Sequence, residues 1–342
     1  MCKKVILGLS GGMDSAYTAI KLLEAGYDVT AVYILMCDAC NSSAEAASLA
    51  AALGVDFEVV DAREEFERLV VAPFAKAYIN GITPNPCVLC NPSVKLKKLY
   101  DYMVLKGGDY VATGHYSVPV KCGKRWSFAP AKDGAKDQGY FLYAVPQEII
   151  SRTLMPLGDA LKNEIKAYFD TDSCAVSPPK TESTDICFVS GKSYVDIISE
   201  RFELPPTGDF VDENGKSLGM HKGIHNYTIG QRKGLGIALG KPAYVSAINA
   251  ADNTVTLSVG EASCSGFDVE NVSYLSLPVS SVGDRYTVRV RYRARPVGCV
   301  VTAVTEKGVS ISFDTPQPPV AKGQSAVFYD GDGVIAFGGV IA

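Results

Sequence analysis

The stretch TPNPCVLCN, residues 83–91, sets Cys87 and Cys90 three positions apart inside a proline-bracketed turn. Thiols at that spacing ligate metal, shuttle electrons or attack an electrophile. Cys37 and Cys40, in MCDACN, repeat the spacing. A second chemically loaded stretch is GLSGGMDS, residues 8–15. Its small residues let backbone N–H groups approach an anion, and a helix beginning there adds partial positive charge. It lacks the Gly-Lys-Ser/Thr of a Walker loop, so no lysine is expected to reach a terminal phosphate. It also lacks the Gly-x-Gly-x-x-Gly of a dinucleotide site.

Both stretches need a frame to hold them. KVILGL reads as a short buried strand, DSAYTAIKLLEAGY as a helix ended by Gly26, and DVTAVYILM as a second strand. SAEAASLAAALG, EFERLVVAPFAKAYING and SVKLKKLYDYMVLKGG continue as helices, with VDFEVVDA and DYVATGHY as strands. That alternation predicts an α/β domain with a doubly wound parallel sheet. The segment 150–180 reads as helical and polar. From about residue 200 glycine becomes dense and helical periodicity ends. YTVRVRYRAR, CVVTAVTEKGVSISF and QSAVFYDGDGVIAFGGVIA alternate as short antiparallel strands, which suits a small β-barrel. The expected domains are 1–195 (α/β), 196–265 (glycine-rich, mostly β) and 266–342 (the barrel).

The chain has 342 residues, 47% apolar and 20% charged, and suits two or three domains. No apolar run reaches the roughly 18–20 residues of a membrane span. The start, MCKKVILGLSGG, enters a core strand and does not read as a signal peptide, so a cytoplasmic location is expected. Ten cysteines there point to metal, redox or nucleophilic roles rather than a disulfide framework. A net charge of −4 does not advertise nucleic-acid binding. Locally, Arg289, Arg291, Arg293 and Arg295 alternate with smaller or aromatic residues. On one strand all four guanidiniums would share a face, and an anionic partner accounts for that better than a solvated edge.

Ser-Gly-Gly-x-Asp-Ser resembles the pyrophosphate loop of the ATP pyrophosphatases, which cleave ATP between its α and β phosphates and adenylate an oxygen. SGGMDS, TPNPCVLCN, ATGHY, KDQGYFL, STDICF, HNYTIGQRKGLGI and GQSAVFY follow one another in that order. Together they resemble the tRNA-specific 2-thiouridylase family, which replaces O2 of the wobble uridine with sulfur, over nearly the whole chain. The resemblance implies that Cys90 is the nucleophile and that Cys187 carries a persulfide sulfur. It assigns ATP, with Mg, to Gly8, Leu9, Ser10, Gly11, Gly12, Met13, Asp14 and Ser15, with Ile34 and Gly114. Asn85, Pro86 and Cys87 would meet the target base; His115, Lys136, Asp137, Gln138, Arg291, Tyr292 and Gln324 match tRNA contacts. The implied partners are tRNA and a sulfur-donor protein, a cysteine desulfurase or relay protein, with no membrane.

Several positions depart from the family pattern. Cys87 stands where many members carry Asp, and Asp185 stands where Gly is usual. Pro92 and Leu96 replace a basic residue and Phe, and MCDACNSS is a shortened segment that introduces Cys37 and Cys40. Metal-free persulfide chemistry, an iron–sulfur cluster on Cys87, Cys90 and Cys187, and a zinc site drawing on both Cys-x-x-Cys pairs all stay open. Two other functions compete: an ATP pyrophosphatase ligase acting on a small molecule, and a non-catalytic, zinc-stapled tRNA-binding protein.

Overall fold

The computed structural model describes residues 2–170, 186–189, 191–237, 240–260 and 263–342. Ser183, Asp185 and Cys174 lie outside them. Strands β1 (Lys4–Gly8), β2 (Asp28–Leu35), β3 (Asp56–Asp61) and β4 (Tyr110–Ala112) join the two-residue strand Thr153–Leu154 in a five-stranded sheet. Its order is β3-β2-β1-β4-Thr153–Leu154, and every pairing is parallel. Apolar side chains cover both faces. Val5 and Leu7 of β1 pack with Ala16, Ala19 and Leu22 of helix α1 (Met13–Glu24), while Ile6 packs with Phe66, Leu99 and Met103 on the other side. Strands buried on both faces need near-continuous apolar runs, which VILGL and VTAVYIL supply.

The chain runs left from β1 to β3 and then crosses to β4 on the other side of β1. Loops at the carboxyl ends of β1 and β4 therefore diverge around a crevice, the usual ligand position in such sheets. Helix α2 (Ser43–Leu53) ends at Gly54, whose φ of 69° is the left-handed conformation that closes a helix at little cost for glycine.

The middle unit is a four-stranded sheet built from Gly208–Val211, Ser217–His221, Ala243–Asn249 and Thr254–Val259. The last unit is a closed six-stranded barrel from Cys264 to Ile341, with Phe328 and Phe337 stacked 4.2 Å apart at its centre. The protein is thus α/β, with a small mostly-β middle domain and a C-terminal β-barrel. Among the described residues no helix is long and apolar enough to cross a membrane.

Three expectations are corrected. Thr153–Leu154 is an edge strand within the stretch read as helical. Residues Val118–Cys122 and Arg125–Ala129 form a hairpin that the alternation did not suggest. The arginine run is not one strand: it ends at Arg289, and Arg291 to Ala294 turn, with Ala294 N–H donating to Arg291 C=O. The turn puts the Tyr292 ring 4.5 Å from that of Phe141, a packing that a continued strand could not make. The four guanidiniums therefore do not share a face.

Candidate active site

The loop leaving β1 is braced from within. Ser15 Oγ accepts from Ser10 N–H (3.2 Å), donates to Gly12 C=O (2.9 Å) and lies 3.2 Å from Ser10 Oγ. Gly11 has φ 81°, and a Cβ there would press on the backbone N of Ala46, so only glycine lets α2 and the loop approach. The first-turn N–H groups of α1 have no partner within the helix, which leaves them for an anion. Gly114, in the loop after β4, lets that chain pass Asp14; a Cβ would sit 3.0 Å from the Asp14 carbonyl carbon. Ile34, near the end of β2, is buried in the same apolar cluster as Cys90.

Asp14 is held from two distant places. Its Oδ1 accepts from Tyr116 Oη and from Lys162 Nζ, each at 2.7 Å. Lys162 is the first residue of helix Lys162–Phe169, and its side chain is only 6% exposed. Burying an ammonium is costly unless it is paired, so the fold brings this charge to the loop at some expense. The glycine loop has no lysine of its own; Lys162 comes to Asp14 from about 150 residues downstream. Tyr116 belongs to the ATGHY motif already noted, but nothing local to Lys162 marked it.

The thiols gather on the other wall. Cys90 ends helix Pro86–Cys90 and opens a π-helical turn, Asn91–Lys95, in which Pro92 falls early. Such turns recur at functional sites, because they re-aim side chains within a helix. Cys90 is 7% exposed and buried beside Phe188; Cys187 precedes Phe188 in a short 3-10 turn. Burial pushes the Cys90 thiol up to about 11; Lys95 opposes this, while Cys187 and Cys87 add to it. Cys87 is raised by burial too, against Lys95 and with Cys187. Cys187 is exposed, though partial burial still raises its thiol, again opposed by Lys95. Three thiols from two segments thus feel one another and one lysine.

Because a thiolate is the attacking form, the sign of the pH dependence follows. With Cys90 near 11, about one molecule in 10⁴ carries the thiolate at pH 7, and that fraction grows tenfold per unit. If Cys90 is the nucleophile that the resemblance implies, single-turnover sulfur transfer should climb steadily from pH 7 to 9, while adenylation, followed as pyrophosphate release, should not follow that slope. Lys95→Met removes the opposing charge. It should shift the climb to higher pH and lower the neutral rate by about tenfold. An unchanged profile in that variant would remove Lys95 from the site.

The TPNPC segment is fixed where all three units meet. Thr83 N–H donates to Lys322 C=O, Gln324 Nε2 donates to Thr83 C=O at 2.9 Å, and Thr83 Oγ1 donates to Thr228 Oγ1 at 3.1 Å. Tyr140 Oη donates to Ser325 C=O at 2.9 Å. Arg291 donates to Ile229 C=O at 3.2 Å. Gln324, Arg291 and Tyr292 therefore make contacts between units.

The KDQ residues divide similarly. The Asp137 carboxylate is buried and accepts from the backbone N–H of Ala131 and Gly139, and Gln138 Oε1 accepts from Tyr116 N–H. His115 is buried against Thr113 Oγ1, and burial lowers it to about 3, so the ring is neutral. These side chains brace the backbone of the two motifs, and Lys136 lies in a turn beside them, its N–H donating to Asp133 C=O.

Cys37 and Cys40 are bonded to each other. Sulfurs in that bond are not thiolate ligands, so in this state the pair does not supply the zinc site drawn on both Cys-x-x-Cys pairs. Among the described residues no three His, Cys, Asp or Glu side chains converge to hold an ion. Cys87, Cys90 and Cys187 as arranged do not fit a cluster.

A sheet of this order, a glycine loop at its switch point and facing thiols define an α/β nucleotide-loop protein built for sulfur chemistry. Residues 3–191 match the family described as tRNA methyl transferase HUP domain, 196–259 its PRC-barrel domain, and 264–341 the aminomethyltransferase beta-barrel domain. The chain is 38% identical to the tRNA-specific 2-thiouridylase MnmA of Acetivibrio thermocellus, with 99% of each chain covered. It is 37% identical to that of Clostridium acetobutylicum over 100% of both, and 36% identical to that of Synechocystis over 100% of this chain and 97% of the other. The chain belongs to the tRNA-specific 2-thiouridylase family.

Proposed function

We propose that the protein is an ATP-dependent tRNA sulfurtransferase that replaces O2 of the wobble uridine with sulfur. The observation that carries this reading is the convergence of Cys90 and Cys187 beside the crevice that holds the glycine loop. The loop N–H groups of Gly8 to Ser15 would hold the pyrophosphate of ATP, with Lys162 and Asp14 at its end and Ile34 beside the adenine. Mg²⁺ is compatible with this donor set, because it is commonly held by one or two carboxylates together with phosphates, and Asp14 supplies one. The uridine would lie against Asn85, Pro86 and Cys87, where the α phosphate can adenylate its O2.

Adenylation turns O2 into a leaving group. Cys187, at the surface, can be loaded with sulfane sulfur by a cysteine desulfurase or relay protein. The Cys90 thiolate attacks the Cys187 sulfur of that persulfide. Hydrosulfide leaves, adds to C2 and expels AMP, and a Cys90–Cys187 disulfide remains. Direct attack of the persulfide on C2, followed by Cys90, gives the same products. The reaction belongs where tRNA is modified, in the cytoplasm. Nothing in this scheme is routed through an iron–sulfur cluster.

The test is release of AMP and pyrophosphate from ATP only when tRNA is present, together with 2-thiouridine detected by mass spectrometry of the nucleosides. Release without tRNA would point to a small-molecule ligase, and no release to a binding protein. Electrostatics give a second check. Arg293 and Arg295 are exposed at the barrel turn. Replacing both with Ala should flatten the dependence of log affinity on log salt by roughly 0.7–0.9 for each phosphate no longer neutralised. A folded double variant with the wild-type slope would take that face out of tRNA binding.

A further inference from the structure

The proposed sulfur transfer leaves an oxidised enzyme, and the loop after β2 holds what is needed to restore it. Met36 Sδ lies 3.7 Å from Cys90 Sγ, and Cys37 is the next residue. Met36 and Cys37 both pack against the cluster in which Cys90 is buried, which also contains Phe188, the neighbour of Cys187. The same loop reaches the nucleotide side. Tyr33 Oη accepts from Ser42 N–H and donates to Cys40 C=O, and Ser42 Oγ donates to Ser10 C=O at 2.9 Å. Asp38 and Ala39, between the two cysteines, are exposed, and the cysteines are half-buried. The pair is thus accessible from solvent on one side and set against the thiol wall on the other.

We propose that Cys37 and Cys40 are a resident reductant: as a dithiol they reduce the Cys90–Cys187 disulfide, and their own disulfide is the oxidised state of that pair. This rests on the sulfur-transfer reading above. The Cys37 thiolate attacks Cys90 Sγ, forming a Cys37–Cys90 mixed disulfide and releasing Cys187 as thiolate, which takes up a proton. The Cys40 thiolate then attacks Cys37 Sγ, freeing Cys90 and closing the Cys37–Cys40 bond. Two electrons pass from one cysteine pair to the other. An external dithiol, a small molecule or a dithiol protein, reduces Cys37–Cys40 before the next turnover. A buried Cys90 is poorly reachable by a bulky reductant, and a half-buried surface pair relays the electrons to it.

The test is disulfide mapping after one turnover. Full-length enzyme is reduced, desalted anaerobically, loaded with one equivalent of glutathione persulfide, and mixed with ATP and tRNA without reductant. It is then quenched with N-ethylmaleimide and mapped by mass spectrometry. In the wild type the bond should appear at Cys37–Cys40, with Cys90 and Cys187 alkylated. In Cys40→Ser a Cys37–Cys90 bond should be trapped. With Cys37→Ser and Cys40→Ser together, the Cys90–Cys187 bond should accumulate, and repeated turnover on a dithiol protein should fall about tenfold. Should the wild type hold Cys90–Cys187 while Cys37 and Cys40 are alkylated, the relay is overturned and the sulfur-transfer reading stands. Thiolated tRNA with no new disulfide anywhere overturns both. The wild-type map decides the matter even if the variants fold poorly.

Discussion

Cys90→Ser should abolish tRNA thiolation while tRNA-dependent release of AMP and pyrophosphate persists. The substitution changes one buried atom in a well-packed cluster, so the fold is retained. A serine hydroxyl neither ionises near neutral pH nor forms a bond to sulfane sulfur, so 2-thiouridine should fall by on the order of 10³-fold or more. The adenylate still forms, because the glycine loop, Asp14 and Lys162 lie on the other wall of the crevice. Cys187→Ser should behave alike. Cys87→Ser should be milder, since in the proposed scheme Cys87 only borders the base and takes no sulfane sulfur. Each variant is assayed for pyrophosphate and for 2-thiouridine in one reaction. A fully active Cys90→Ser would sink the catalytic reading, and a Cys87→Ser as dead as Cys90→Ser would revive the cluster on these thiols.

What was legible in the sequence was what local pattern decides. The apolar runs of β1 and β2 and the helical spacing of α1 are statements about near neighbours, and the fold follows them. The glycine loop was legible because only small residues permit its approach to Ala46 and its turn at Gly11. The arginine run misled because a strand lasts only as long as its partners. The pairings of Arg289 with Val327 and Val288 with Val297 are the last before the turn, and Tyr292 leaves for Phe141. The meeting of Cys90 with Cys187 is tertiary, and spacing says nothing about residues so far apart. It came from the resemblance alone. Lys95 sat in plain view but gained meaning only when the π-helical turn after Cys90 put its charge within electrostatic reach of the thiols. The Cys37–Cys40 spacing was visible and suggested metal; its place beside Met36 and Cys90 is what gives it redox meaning.

Lys162→Met should cost as much adenylation as Asp14→Asn, and the two together little more than either. Lys162 Nζ and Tyr116 Oη converge on one oxygen of Asp14, so each single change dissolves the same arrangement. Residues that act as a unit are non-additive when removed in turn. In the proposed reaction negative charge grows on the pyrophosphate oxygens as they leave, and a buried ammonium fixed in advance would stabilise that charge without reorganising. Loss of one such donor typically costs about 10²–10³-fold in rate. Lys162→Met keeps the length of the side chain and removes its charge, so the helix it begins should persist. tRNA affinity should hardly change, because phosphate contacts elsewhere dominate it. Tyr116→Phe should cost less, since it removes a neutral donor and leaves the ammonium in place. The measurement is the rate of tRNA-dependent pyrophosphate release for the single and double variants, beside tRNA affinity at fixed salt. Full additivity would mean that Lys162 and Asp14 work apart, and the lysine would then be a buried structural partner of the carboxylate rather than the cation that the glycine loop lacks.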